Sequence, residues 1–199
     1  MREEVLAKAA SIPADPLVLP TSGQATYSGG VGIAYSDSAS TTDDPNAVAM
    51  IGEMNMTANF TAAGGDVEGR LSGFHAGGFD VAWTGNDRDK WWQAMAYGDT
   101  SGMTAAEREA MIAAFDTPVE GELRFSGGIA PGFFAIDVSG TLNNDGKSVV
   151  IDGQGNVLFT KGEAEQATIE GYTTGDLTIT EDGVEPYYGW MRGFAVKDD

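Results

Sequence analysis

Short stretches in which apolar and polar residues alternate fill most of this chain, and glycine-rich turns separate them. In one stretch Met54, Met56, Ala58 and Phe60 fall at every second position. This spacing is typical of a strand with one buried face, because successive side chains of a strand point to opposite sides. The chain has 28 glycines among 199 residues, well above the usual share of about 7%. Glycines at turns, bulges and barrel corners fit the same interpretation, an all-β protein.

The alternation also predicts where the strands lie and how they connect. Turn signals such as residues 143–146, with the sequence Asn-Asn-Asp-Gly, separate neighbouring stretches, so the strands pair with their neighbours as antiparallel hairpins. Closure into a barrel leaves no strand edge open. We therefore expect an antiparallel up-and-down β-barrel of about eight strands within residues 25–199. The predicted strands are residues 25–36, 48–61, 67–74, 79–83, 119–126, 133–142, 148–160, 167–180 and 187–196.

A short helical insertion is predicted at residues 87–116, where the apolar period changes. Thr104 and Glu107 have the spacing of a capping box, in which each side chain binds an N–H group of the first helical turn. Met111, Ile112 and Phe115 then follow near helical spacing. We expect this insertion to pack on the barrel or to cap it.

Residues 1–24 are predicted to form an N-terminal arm. A short helix fits residues 2–10, and Pro13, Pro16 and Pro20 then impose an extended backbone. The arm is too apolar for a solvated linker, and two arrangements explain this equally well: it folds back on its own barrel, or it docks on a neighbouring subunit. Its candidate partner-binding residues are Val5, Leu6, Ile12, Leu17, Val18 and Leu19.

Adjacent aromatic residues form a second group of candidates. Adjacent residues of a strand point to opposite faces, so Trp91 and Trp92 cannot both face the barrel interior. We expect one of them to pack between the insertion and the barrel. Tyr187, Tyr188 and Trp190 are equally compatible with packing and with a role as interface anchors, which exposed Tyr and Trp often fill.

The composition argues against several functions. The chain has thirty acidic and eleven basic residues, for a net charge of −19. This balance argues against nucleic acids and anionic membranes as partners, because both bind to positively charged surfaces. No apolar run approaches the roughly 20 residues of a membrane-spanning helix. With no cysteine and with His75 as its one histidine, the chain lacks the ligands of an ordinary zinc site and a nucleophilic thiol. Asp80 and Asp137 alternate with apolar residues and should face solvent, so we expect no enzymatic activity, metal or cofactor.

Glycines and aromatic residues recur together in several segments, namely residues 27–30, 56–60, 64–65, 67–69, 171–172, 189–190 and 193–194. This pattern resembles the barrel domain of transferrin-binding protein B and related bacterial surface lipoproteins. The resemblance covers about residues 25–196. It implies a barrel that binds a host protein or a small ligand at the cell surface, and no functional residue carries over from it. Those lipoproteins are exported and anchored through an N-terminal cysteine, whereas this sequence shows neither an export signal nor a cysteine.

These observations favour a structural and adhesive function. An acidic barrel with an apolar, proline-stiffened arm and no export signal is typical of a capsid decoration (cement) protein of a bacteriophage or virus-like particle. We therefore expect a virion protein, made in the host cytoplasm, whose partners are capsid or other assembly subunits, and we also consider self-association. The alternative is a surface barrel like transferrin-binding protein B.

Overall fold

The strands were located in a computed structural model that describes residues 7–9, 11–13, 15–38, 47–77, 90, 94 and 100–199. The one helix with both ends in the described part is α1, Ala105–Ala113. Residues 7–9 are also helical, within the predicted arm helix. The strands are β1 Gly23–Ser36, β2 Val48–Thr61, β3 Gly64–Gly77, β4 Thr117–Gly128, β5 Phe134–Asn144, β6 Lys147–Thr160, β7 Gln166–Tyr172, β8 Leu177–Glu181 and β9 Tyr188–Lys197.

Eight of these strands close into a barrel. The order around the wall is β1–β2–β3–β4–β5–β6–β7–β9, and β9 pairs with β1 to complete it. Every pairing is antiparallel, and around the wall all neighbours are consecutive strands except β7 with β9 and the closing pair β9 with β1. The predicted antiparallel barrel of about eight strands is therefore confirmed. The predicted strand at residues 79–83 lies outside the described residues.

The predicted continuous strand at residues 167–180 is wrong, because a turn divides it into β7 and β8. β7 pairs with the second half of β6, and β8 pairs with the first half. Between them the Gly175 N–H donates to the Tyr172 carbonyl at 3.0 Å, and the Thr173 N–H donates to the Gly189 carbonyl at 3.0 Å. The turn residues thus bond among themselves and to β9, so they leave the ladder with β6.

Side chains from all nine described strands form a buried core inside the barrel. Phe159 lies at the centre of an aromatic group, with ring centroids 5.6 Å from Tyr27, 5.5 Å from Phe60 and 5.7 Å from Phe134. Such tilted pairs have a favourable ring geometry. These ring contacts contribute to the core that stabilises the barrel.

Glycines allow neighbouring strands and side chains of the barrel to approach one another closely. A Cβ atom at Gly29 of β1 would lie 1.8 Å from the Phe194 carbonyl oxygen of β9. At Gly69 of β3 a Cβ atom would lie 2.2 Å from the Phe125 ring, which covers the glycine from inside the barrel. A larger residue at either place would force strands or rings apart.

Helix α1 packs on the outside of the barrel, which is one of the two predicted arrangements. The Thr104–Glu107 capping box is present: the Glu107 N–H donates to Thr104 Oγ1 at 3.2 Å, and the Thr104 N–H donates to the Glu107 carboxylate at 2.6 Å. The helix side chains cover outward residues of β1, β2 and β9 and form what we call the outer cluster. The outer cluster comprises Ala34, Ala49, Ile51, Ala94, Met111, Phe115 and Trp190. Trp91 and Trp92 lie outside the described residues.

Candidate functional site

The described part of the arm is folded back on its own barrel. Ile12 is half-buried against Phe194 and Val196 on the outer face of β9, and Leu19 is half-buried against the interior core. Val5 and Leu6 lie outside the described residues. Four of the six arm candidates can therefore be placed, and two of those four contribute to packing within the molecule.

Backbone hydrogen bonds hold the arm beside the loop that joins β6 to β7. The Val18 N–H donates to the Gly162 carbonyl at 2.7 Å, and the Gly162 N–H donates to the Asp15 carbonyl at 3.2 Å. Lys8 also donates to the Asp199 carboxylate at 2.6 Å, which ties the start of the described arm to the end of the chain. These bonds fix which arm side chains face away from the barrel.

Three exposed apolar side chains lie at one end of the barrel. This end, which we call the arm end, carries the β2–β3, β4–β5 and β6–β7 connections and arm residues 15–19. Leu17 and Val18 are 37% and 62% exposed, and Phe133 of the β4–β5 connection is 59% exposed. Sequence reasoning found the first two and missed Phe133, because its neighbour Phe134 carries the inward position of the alternation.

The aromatic candidates lie at the opposite end and separate into three environments. Tyr187 is 72% exposed, whereas Tyr188 is half-buried against the outer cluster. Trp190 is 1% exposed and belongs to the outer cluster, so of its two expected roles the structure shows packing within the molecule. Val184, 68% exposed, and Val150, 39% exposed on β6, belong to the same end as Tyr187.

A polar groove on the outer wall is the second candidate surface. It crosses strands β1 to β5 and has a volume of about 720 Å³, within the range of roughly 300–1,000 Å³ typical of ligand sites. Sequence reasoning did not find it, because strand register brings its side chains together. The polar side chains that line this outer groove belong to Thr26, Asn55, Thr57, Glu68, Arg70, Arg124, Ser126, Asp137, Ser139 and Asp198.

Two buried tyrosines have strongly shifted acidities. Burial, followed by the nearby Glu165 carboxylate, raises the pKa of Tyr27, whose hydroxyl donates to the Ala164 carbonyl at 2.8 Å. Burial, followed by its 2.6 Å hydrogen bond to Glu181, raises the pKa of Tyr35. Both hydroxyls stay protonated at neutral pH and serve as donors, Tyr27 to the β6–β7 loop and Tyr35 to the end of β8.

The remaining site predictions concern chemistry and membranes. His75 is exposed on β3, and Asp137 is exposed on β5 as expected, while Asp80 lies outside the described residues. Within the described ranges no group of three or more His, Cys, Asp or Glu side chains has an arrangement that could hold a metal ion. Nor does any helix in that part of the chain have the length and apolarity needed to cross a membrane.

Comparisons with known proteins place the chain in no family. No protein-family model matches the sequence, and no curated protein matches it either. Among solved structures it is similar to a polyisoprenoid-binding domain from Saccharophagus degradans implicated in plant cell wall breakdown. The identity is 11%, the TM-score is 0.30, and the match covers 88% of this chain and 100% of that one. A likeness at this level transfers neither a family nor a ligand to this chain.

Proposed function

We propose that this protein is a non-enzymatic adhesive barrel that attaches to a protein partner through its arm end. The observation that carries this proposal is the exposure of Leu17, Val18 and Phe133 at one end of an otherwise acidic molecule. Apolar side chains that are displayed by a rigid barrel lose little conformational entropy when a partner covers them. Their burial then stabilises the complex at about 25 cal/mol per Å² of apolar surface.

The arm is well suited to this attachment because the barrel already positions it. The hydrogen bonds that Gly162 makes with Val18 and Asp15 fix the backbone at the point where the two exposed arm side chains emerge. A partner would therefore meet an ordered surface rather than a free chain, which lowers the ordering cost of binding. The rest of the surface, with its net charge of −19, would remain solvated and oppose further aggregation.

More specifically, we propose that the partner is the shell of a bacteriophage or virus-like particle and that the chain is a decoration protein of the virion. The alternative is a cell-surface barrel that binds a host protein or a small ligand. In that alternative the outer wall offers a polar groove for a small ligand.

Fractionation of producing cells would test the proposal. The protein is quantified by mass spectrometry in the cytosol, the envelope and density-purified particles, and we expect it to co-purify with particles. Purified protein is then added back to particles from which it has been stripped, and saturable rebinding is expected. Recovery mainly in the envelope would refute the virion assignment. Particles that do not rebind the protein would also contradict it.

A further inference from the structure

Strand register builds two parallel rows of polar side chains across the outer groove. In the first row Thr57 of β2 is opposite Glu68 of β3, and the row continues through Ser126 of β4 to Asp137 of β5. In the second row Asn55 is opposite Arg70, Arg70 is opposite Arg124, and Arg124 is opposite Ser139. The groove thus presents acceptors along one row and cations along the next.

The central pair of the second row is two arginines on neighbouring strands. Like charges directly opposite each other across a ladder are unfavourable, because their Cβ atoms are only about 4.5–5.5 Å apart. Both side chains are also well exposed, at 56% for Arg70 and 77% for Arg124. A repulsive pair at the centre of a groove indicates a site that is arranged for an anion rather than for fold stability.

One carboxylate serves both arginines and leaves donors available. Arg124 binds Glu122 with Nη2 at 2.7 Å and Nε at 3.0 Å, whereas Arg70 approaches the same carboxylate only to 3.6 Å, beyond hydrogen-bond distance. By contrast, Lys147 and Lys197 each have an acidic partner of their own. The two guanidinium groups and Glu122 together carry one excess positive charge in a strongly acidic protein. A guanidinium fork matches the two oxygens of a carboxylate.

The neighbouring row restricts which anion fits. Glu68, Asp137 and Asp198 line the same groove, so they would repel a ligand with many negative charges, such as a nucleic acid. Their carboxylates, with the hydroxyls of Thr57 and Ser126, can instead accept hydrogen bonds from ligand hydroxyls. A ligand with one carboxylate beside several hydroxyl groups satisfies both rows.

We propose that the outer groove binds acidic saccharides, with Arg70 and Arg124 holding the carboxylate of a uronic acid and the Glu68–Asp137 row accepting bonds from sugar hydroxyls. This site is separate from the arm end and goes beyond the attachment proposed above.

Isothermal titration calorimetry at about 0.1 M salt, with the full chain and a galactose trimer in which one sugar is galacturonic acid, tests the proposal. We expect saturable binding, and at least about tenfold weaker binding by the neutral galactose trimer, since each charge-assisted hydrogen bond is worth that much. Arg70→Gln and Arg124→Gln should each weaken binding of the acidic trimer by about tenfold or more. Removing one of two repelling charges should leave the barrel folded, which the thermal unfolding midpoint verifies.

Lys147→Gln is the matched control, because it removes one positive charge from the barrel outside the groove. It should change the affinity for the acidic trimer by less than about twofold, since surface charges beyond a Debye length of roughly 10 Å are largely screened. Equal affinity for the acidic and neutral trimers, or arginine variants that bind as well as the control, would overturn the proposal. Inorganic sulfate that binds as tightly as the acidic trimer would also overturn it, because the site would then select a bare anion.

Discussion

Replacing the three exposed apolar residues of the arm end should abolish attachment while leaving the barrel folded. Full burial of such a side chain contributes about 1.5–3 kcal/mol. Val18, Leu17 and Phe133 have 62%, 37% and 59% of their surfaces left to bury. Scaled by these fractions, the three side chains contribute about 2–5 kcal/mol of binding free energy. Since 1.4 kcal/mol is a factor of ten, the triple serine variant should bind roughly 50- to 2,500-fold more weakly.

The assay is rebinding of purified protein to stripped partner particles, followed by density-gradient sedimentation across a concentration series. The control is a second triple serine variant, Val150→Ser, Val184→Ser and Tyr187→Ser, which removes similarly exposed residues from the opposite end. The control should rebind like the wild type, and both variants should retain their thermal unfolding midpoints. If the control loses as much affinity as the arm-end variant, attachment does not occur at the arm end and the reasoning fails.

Three further predictions concern the fold that supports these surfaces. Gly29→Ala should destabilise the barrel by at least about 3 kcal/mol in urea unfolding because of its clash with β9, whereas Gly128→Ala, whose Cβ would lie 3.9 Å from its nearest contact, should stay within about 0.5 kcal/mol. The backbone N–H of Thr104 and the Lys90 ammonium lower the pKa of Glu107 from 4.5 to about 2. The stabilising contribution of the Glu107 carboxylate is therefore complete above pH 4.5 and is lost as the pH falls towards 2. The difference in melting temperature between wild type and Glu107→Gln should shrink over that range. Burial raises the pKa of Tyr27 above 10.0. The wild type should therefore lose stability above pH 10, because Tyr27 ionises first in the unfolded state. Tyr27→Phe should show a weaker loss of stability in alkaline melting curves.

The strands were predictable because each of them carries its own alternation. The limits of β2 match the prediction at both ends, and the capping box located the start of α1. The break after Tyr172 was not predictable, because the alternation resumes in phase at Leu177 and hides the turn between them. The turn depends on bonds between Thr173 and Gly189, and these form only when β9 is in place.

The burial of Trp190 depends on a contact that a period-two pattern does not contain. An apolar residue at an outward strand position is either exposed or covered by another element, and alternation alone does not distinguish these cases. The neighbouring outward positions held one signal: Gly30, Gly32 and Ala34 of β1 are small and buried, which is typical of a wall against which other segments pack closely. The arginine pair could not be predicted from alternation, because only the register of β3 with β4 brings Arg70 opposite Arg124.

Among the described residues, the ion pair that links the arm to the rim of the outer groove is too weak to couple the functions of the two proposed surfaces. The chain end connects them: the Asp198 N–H donates to the Thr26 carbonyl at 2.8 Å beside the outer groove, and the next residue, Asp199, accepts from Lys8 of the arm. That ion pair is solvent-exposed, and exposed pairs typically contribute only about 0–1 kcal/mol. A coupling free energy cannot exceed the energy of the contact that transmits it. Loss of saccharide binding and loss of partner attachment therefore report on separate surfaces, and a variant in one should leave the other intact.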